Sequence, residues 1–222
     1  MLVRWLACAA ALFASMASAQ SDLNPSVDGW GRISVVGGYR WVPNWYFFDH
    51  AAAKGEPVVK ASLGGPQLDV SFGYGAASWL EVAVDLFGAV DWFELEGRSP
   101  FTAFTYGGLL GPRVTSTNVL FPGFTPYLGA EVGPTFVLLQ SSSVSTPERL
   151  IVGFAVVGGF HWRFADHWAL SVDVRWLLAR GLSEVSGFNA GGVLFSAGVS
   201  YLFPPALQRE PPIPGFGAPS RL

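Results

Sequence analysis

Large apolar residues alternate one for one with small or charged residues through eight segments of this chain, and this period of two narrows the possible folds more than any other feature. Ile33, Val35, Gly37, Tyr39 and Trp41 alternate with Arg32, Ser34, Val36, Gly38 and Arg40. Leu68, Val70, Phe72 and Tyr74 alternate with Gln67, Asp69, Ser71 and Gly73. Leu80, Val82, Val84, Leu86, Val90 and Trp92 stand against Glu81, Ala83, Asp85, Ala89 and Asp91. Successive side chains of a strand point to opposite faces, so each segment reads as a strand with one apolar face.

Five further segments follow the rule less strictly: 101–114, 125–139, 150–164, 170–178 and 193–203. Their apolar faces carry Phe104, Tyr106 and Leu110; Leu128, Val132 and Phe136; Val152, Phe154 and Trp162; Val172, Val174 and Trp176; Phe195, Val199, Tyr201 and Phe203. Each segment is about nine residues or longer, the length a tilted strand needs to cross a bilayer. Ala76-Ala77-Ser78 and Ala165-Asp166-His167 read as short turns, and 42–66 is the longest connection. The connection 116–123 is longer than the turn expected there.

Composition decides what surrounds the apolar faces. Half of the 222 residues are hydrophobic and only 13% are charged, against about 25% charged in an ordinary soluble domain. Beyond the N-terminus no apolar run reaches the roughly 18 residues that a spanning helix needs. The longest, Leu150 to Phe160, contains three glycines and ends at His161. Lipid offers no partner to an open sheet edge, so a membrane chain without spanning helices must close into a barrel. The expected fold is all-β: an eight-stranded antiparallel transmembrane β-barrel, an up-and-down meander over 30–203.

The N-terminus reads as an export signal over 1–19. Arg4 is followed by the apolar stretch Trp5 to Ala14 and by Ala17-Ser18-Ala19, leaving Gln20 as the new N-terminus. This is the layout of a cleaved secretory signal, with an apolar stretch too short to span as a helix. Cys8, the only cysteine, lies inside it; the apolar region before it is too short for a lipid-attachment site. The exported chain then holds no disulfide and no cysteine-ligated metal. Residues 20–29 are expected as a periplasmic N-terminal segment. Residues 204–222, with six prolines, are expected as a disordered periplasmic tail, because proline cannot continue a sheet. The net charge is −3 with no basic run, so nucleic acid is not an expected partner.

The aromatic residues sort by depth. With the chain starting in the periplasm, Trp30, Trp79, Trp162, Trp168, Tyr201 and Phe203 fall near the inner interface, and Trp41 and Trp92 near the outer one. Outer-membrane barrels carry two such girdles. The last strand, Ser196-Ala197-Gly198-Val199-Ser200-Tyr201-Leu202-Phe203, resembles the terminal β-signal of outer-membrane proteins at its four defined positions, Ser196, Gly198, Tyr201 and Phe203. It departs from that pattern in not standing at the extreme C-terminus. Gly111-Pro112-Arg113 followed by Thr125-Pro126-Tyr127 adds to the likeness. From Trp30 to Phe203 the chain resembles the small OmpA-like and OmpX-like outer-membrane barrels. The resemblance implies an outer-membrane location in a Gram-negative bacterium, contact with membrane lipid and lipopolysaccharide, assembly by the barrel-assembly machinery, and a monomer. Barrels of this group serve as anchors, adhesins, small pores or lipid-modifying enzymes, so fold leaves function open.

An eight-stranded barrel is just wide enough for side chains to fill. The face opposite the large aliphatics holds Arg32, Arg40, Asp69, Glu81, Asp85, Asp91, Arg113, Glu131, His161, Arg163, Asp173 and Arg175. Neighbouring strands suggest pairs between Arg113 and Glu81 and between Arg40 and Asp69, with Asp85, Glu131, Asp173 and Arg175 at mid-depth. One expectation is a polar plug of ion pairs, since isolated buried charges are costly. The alternative is a narrow gated conduit for ions or small solutes. A lipid-A-modifying enzyme needs a serine within reach of an oriented base. His50, His161 and His167 offer no such pattern, with Ala169 where a His-x-Ser motif would need serine. No cofactor and no metal site is expected. The cluster Trp45-Tyr46-Phe47-Phe48 in the first outer loop is expected at the barrel rim or as a contact surface. A soluble lipid carrier, with the apolar faces turned inward, remains a fourth reading.

Overall fold

The computed structural model describes residues 28–42, 49, 52–53, 55, 57–97, 99–117, 119–141, 149–179 and 190–203. The export signal, segment 20–27, the 45–48 aromatic cluster, His50 and the proline-rich tail lie outside the described residues.

Nine strands are present among the described residues: β1 (Gly31–Trp41), β2 (Val58–Ala61), β3 (Gly64–Ala77), β4 (Leu80–Leu95), β5 (Phe101–Thr115), β6 (Phe124–Gln140), β7 (Arg149–Arg163), β8 (Trp168–Leu178) and β9 (Gly192–Phe203). Every strand except β2 pairs antiparallel with both its neighbours, and β9 closes against β1 in continuous register from Gly31↔Phe203 to Trp41↔Val193. The result is a closed eight-stranded antiparallel meander. Closure of β9 on β1 removes the two open edges that a flat meander would have. The short β2, unexpected from sequence, lies within the 42–66 connection and pairs with the far end of β4. The eight barrel strands run 11 to 17 residues.

Burial follows the alternation. Along β4 inward Glu81, Ala83, Asp85, Phe87, Ala89, Asp91 and Phe93 are buried, while Val82, Val84, Leu86 and Trp92 are exposed. Large aliphatics and aromatics therefore coat the outside of the whole barrel. The inversion into an apolar-lumen carrier is thereby excluded, because the charged face points in.

The two ends differ. One carries the tight turn at Ser78–Trp79, the turn 164–167 and the connection 116–123, and the other carries the connections 42–63, 96–100, 141–148 and 179–191. Trp79, Trp162, Trp168, Tyr201 and Phe203 ring the short-turn end, while Trp30, expected with them, lines the mouth of the lumen under Arg163; Trp41 and Trp92 stand toward the long-loop end. Trp168 and Phe203 pack on Tyr201 with centroids at 5.2 and 4.8 Å. The long connection 116–123 has a structural reason: Phe121 folds onto Phe124 and Trp162 at 4.9 and 6.0 Å, extending the aromatic ring across β6 and β7. Gly123 closes it with φ of 81°, where a Cβ would meet the Arg163 carbonyl oxygen at 2.6 Å. Only glycine combines that backbone with that approach.

Candidate functional site: a salt-bridged lumen

Inward-facing positions of neighbouring strands converge on the barrel axis, so charges far apart in sequence become neighbours. In the short-turn half Arg32 makes a bidentate contact with Glu81 through NH2 at 2.7 Å and Nε at 3.2 Å. Gly73 leaves the room: a Cβ there would lie 2.6 Å from the Glu81 carboxyl carbon and 2.8 Å from the Arg32 guanidinium. At mid-depth Arg113 holds Asp85 and Glu131, the latter at 2.7 Å, and reaches Glu81 at 3.6 Å. Arg175 holds Asp69 at 2.5 Å and Asp85 at 3.0 Å, and approaches Glu131 at 3.5 Å. All these side chains are buried. The arginines share carboxylates, which makes one connected network in place of isolated pairs. The planar guanidinium fork suits this, because its donors can serve several acceptors at once.

Of the two pairings suggested by neighbouring strands, Arg40–Asp69 is not formed and Arg113–Glu81 is one contact among several. Arg40 pairs with Asp91, not Asp69, and donates to the Ala190 carbonyl at 2.6 Å. In register Arg40 faces Gly65, while Asp69 faces Val36 four residues along, which is about 13 Å at the usual rise. Gly65 carries no side chain, so the Arg40 guanidinium reaches across it to β4. Arg113 does stand opposite Glu81 in register, yet its shorter contacts are to Asp85 and Glu131. Two residues grouped with the network stand outside its ion pairs. Asp173 is buried, and its Oδ1 has no hydrogen-bond partner. Arg163 ends β7 at the rim, half-buried, with its guanidinium 5.8 Å over the Trp30 ring. There the charge stays in contact with water and needs no carboxylate.

A second arrangement was not read from the sequence. His161 Nδ1 lies 2.8 Å from Ser171 Oγ, Ser171 contacts Ser200, and Ser200 lies 2.5 Å from Ser34, which contacts Arg32. Register sets this row: His161 faces Ser171, Ala169 faces Ser200, and Ser34 faces Ser200. The signal was the recurrence of serine on inward positions of three strands, which only the pairing makes into a chain. A Ser–His contact invites a nucleophile reading. His161 Nε2 has no hydrogen-bond partner among the described residues, and the ring stacks on Tyr127 at 4.7 Å. Among the described residues no three His, Cys, Asp or Glu side chains converge as metal ligands. Replacing Ser200 with alanine should leave Ser34 and Ser171 without a shared partner. We expect a loss of about 1–3 kcal/mol in unfolding free energy, read as a lower urea midpoint in detergent.

The long-loop half of the lumen is mainly apolar, with the buried Arg40–Asp91 pair set among the apolar side chains. Phe87, Phe93, Phe101, Leu109, Leu177 and Leu194 form a buried cluster there, with Phe93 and Phe101 stacked at 5.3 Å. These residues occupy inward positions of the same alternation, so parity alone would have placed them. Below the polar network, at the short-turn end, a vestibule of about 80 Å³ opens between Trp30, Thr115, His161 and Arg163. On β9, Ser196 points inward and accepts a 2.6 Å hydrogen bond from Gln67. Gly198 brings the backbone of β9 close to β1: a Cβ there would sit 2.1 Å from the Val35 carbonyl oxygen. Tyr201 and Phe203 face outward in the aromatic ring at the rim.

No protein-family model matches the chain, and no curated protein matches it. Solved structures do. Ail, the attachment invasion locus protein of Yersinia pestis, aligns with a TM-score of 0.52 at 14% identity over 79% of this chain and 99% of Ail. Neisserial surface protein A aligns with a TM-score of 0.52 at 16% identity over 79% and 98%. OprG, an outer membrane protein of Pseudomonas aeruginosa, aligns with a TM-score of 0.55 at 17% identity over 79% and 96%. At these identities the likeness is one of fold: that of the small eight-stranded outer-membrane barrels.

Proposed function

We propose that this chain is an exported outer-membrane protein of a Gram-negative bacterium. In this reading it is a monomeric, closed barrel with a structural or surface-interaction role, and it performs no catalysis. The observation that carries the reading is the filled interior: a shared arginine–carboxylate network in one half and a packed apolar cluster in the other. Such a lumen stiffens the wall and fills the axis with side chains, which supports a closed frame for the long loops over a conducting one. The wall itself supports the location, since a continuous coat of exposed aliphatics between two aromatic girdles would be insoluble in water and matches lipid. Two fold neighbours, by name an attachment protein and a surface protein, support a surface role by analogy. Membrane lipid, lipopolysaccharide and, during biogenesis, the barrel-assembly machinery are its partners, the last through the strand ending in Tyr201 and Phe203.

The vestibule at the short-turn end favours a second reading, a narrow conduit entered from the periplasm. One experiment separates the two. Outer membranes from cells expressing the full chain are extracted, and the protein is run boiled and unboiled before reconstitution into a planar bilayer. We expect a membrane-fraction band that shifts on boiling and no ion conductance above the bare bilayer. Steady single-channel steps would replace the plug with the conduit; a soluble periplasmic band without a shift would remove the membrane reading itself.

A further inference from the structure

The outer wall is not uniformly smooth. A groove of about 410 Å³ crosses β4 and β5. Two outward glycines on adjacent strands create it. Gly88 stands opposite Tyr106, and Gly108 opposite Leu86, so the two missing side chains lie diagonally across the pair. A Cβ at Gly88 would meet nothing within 4 Å. Leu68, Val70 and Leu86 form one wall, and the stacked rings of Tyr106 and Phe136, 5.5 Å apart, form the other. Gly107 and Phe87, inward positions between the outward ones, complete the lining as the floor. No charged side chain lines the groove.

Depth says what fills it. Gly88 lies four residues from Trp92 of the long-loop girdle and nine from Trp79 of the short-turn girdle. At a strand rise of about 3.3 Å and a tilt of about 40°, these separations are roughly 10 Å and 23 Å along the barrel axis. Half of a hydrocarbon core is about 15 Å, so the groove lies within the leaflet on the long-loop side. We propose that it is a docking site for one acyl chain of an outer-leaflet lipid, a saturated chain of lipid A. The long, straight, apolar chain fits a notch of backbone and flat rings better than a branched side chain would. Lys60, exposed on β2, stands opposite Glu94 of β4, six residues beyond Gly88, so the wall beyond the groove carries one charge of each sign and the depth alone assigns the leaflet. This inference rests on the outer-membrane reading.

The test compares the full-length chain with Gly88→Leu, a substitution that fills the notch and meets open space. Both proteins are purified in detergent, checked for the heat-dependent gel shift, incubated with hexa-acylated lipid A or with palmitoyl-oleoyl phosphatidylethanolamine, and examined by native mass spectrometry. We expect one retained lipid A per wild-type barrel and a roughly tenfold loss of retention in Gly88→Leu, or about 1.4 kcal/mol, with the gel shift intact in both. Equal retention by the two proteins would overturn the groove as the site. Retention of the phospholipid in preference to lipid A would overturn the assignment to the outer leaflet. A dimer in the wild type that Gly88→Leu abolishes would make the groove a contact between copies. Absence of the gel shift together with a soluble wild type would instead overturn the membrane reading, and the inference with it.

Discussion

Arg113→Met should be among the most damaging single substitutions in the barrel. Arg113 holds Asp85 and Glu131 and stands 3.6 Å from Glu81. In the network Arg32, Arg113 and Arg175 face Asp69, Glu81, Asp85 and Glu131, with Asp173 buried beside them. Acids already outnumber guanidiniums, so removing Arg113 leaves buried negative charge without compensation. Breaking a buried pair from one side costs about 3–5 kcal/mol. We expect an unfolding free energy lowered by that amount, seen as a lower urea midpoint with little change in slope, followed by tryptophan fluorescence in detergent micelles. Arg113→Met combined with Glu131→Gln should recover part of the loss, because it removes the stranded charge as well. An unchanged midpoint in the single variant would mean that the network does not hold the barrel.

Gly65→Ala should be comparably damaging for a steric reason. The added Cβ would fall 1.7 Å from the Val90 carbonyl oxygen and 3.4 Å from Asp91 Oδ1. A backbone atom cannot swing away as a side chain tip can, so β3 and β4 must part locally. The same methyl intrudes on the path by which Arg40 reaches Asp91. Overpacking alone costs about 1–3 kcal/mol, and weakening a fully buried arginine pair adds to it; a total of about 3 kcal/mol or more is expected. Gly88→Ala on the neighbouring strand is the control. Its Cβ meets nothing within 4 Å, so stability should stay within about 0.5 kcal/mol or rise slightly as the unfolded chain loses freedom. Equal midpoints for the two alanine variants would show that the close approach at Gly65 relaxes without consequence.

The eight barrel strands were legible because a strand buries every second residue, and a barrel with lipid outside and packing inside makes that period strict. Leu80, Val82, Val84 and Leu86 against Glu81, Ala83 and Asp85 is a pattern with one solution. The strand ends moved by a few residues, since ladder ends depend on partners: β3 extends back to Gly64 because Trp41 pairs with it. The short β2 carried no such signal, for its four residues gain order only from the projecting end of β4. Most of the lumen charges were legible for the same reason as the strands, and which ones touch was not. Arg40 reaches Asp91 and not Asp69 because the register sets Gly65 between them. Arg163 shares the inward parity yet ends its strand at the wet rim. The serine row and the apolar upper lumen were visible residue by residue but had no meaning without strand neighbours.

By itself, then, the sequence determined which face of each barrel strand is apolar, that eight strands form the barrel wall, and that the apolar faces needed a medium other than water. Those properties are local: they follow from a period of two, from strand length and from composition. Only the tertiary structure decided which charges share a partner, where the interior turns from polar to apolar, and that Gly88 and Gly108 combine into one groove. These depend on register and closure, which bring residues dozens to well over a hundred positions apart into contact, as Ser34 and Ser200 are. A one-residue slip in any ladder would reverse the faces of that strand; the burial of both sides of the wall selects the register that is seen.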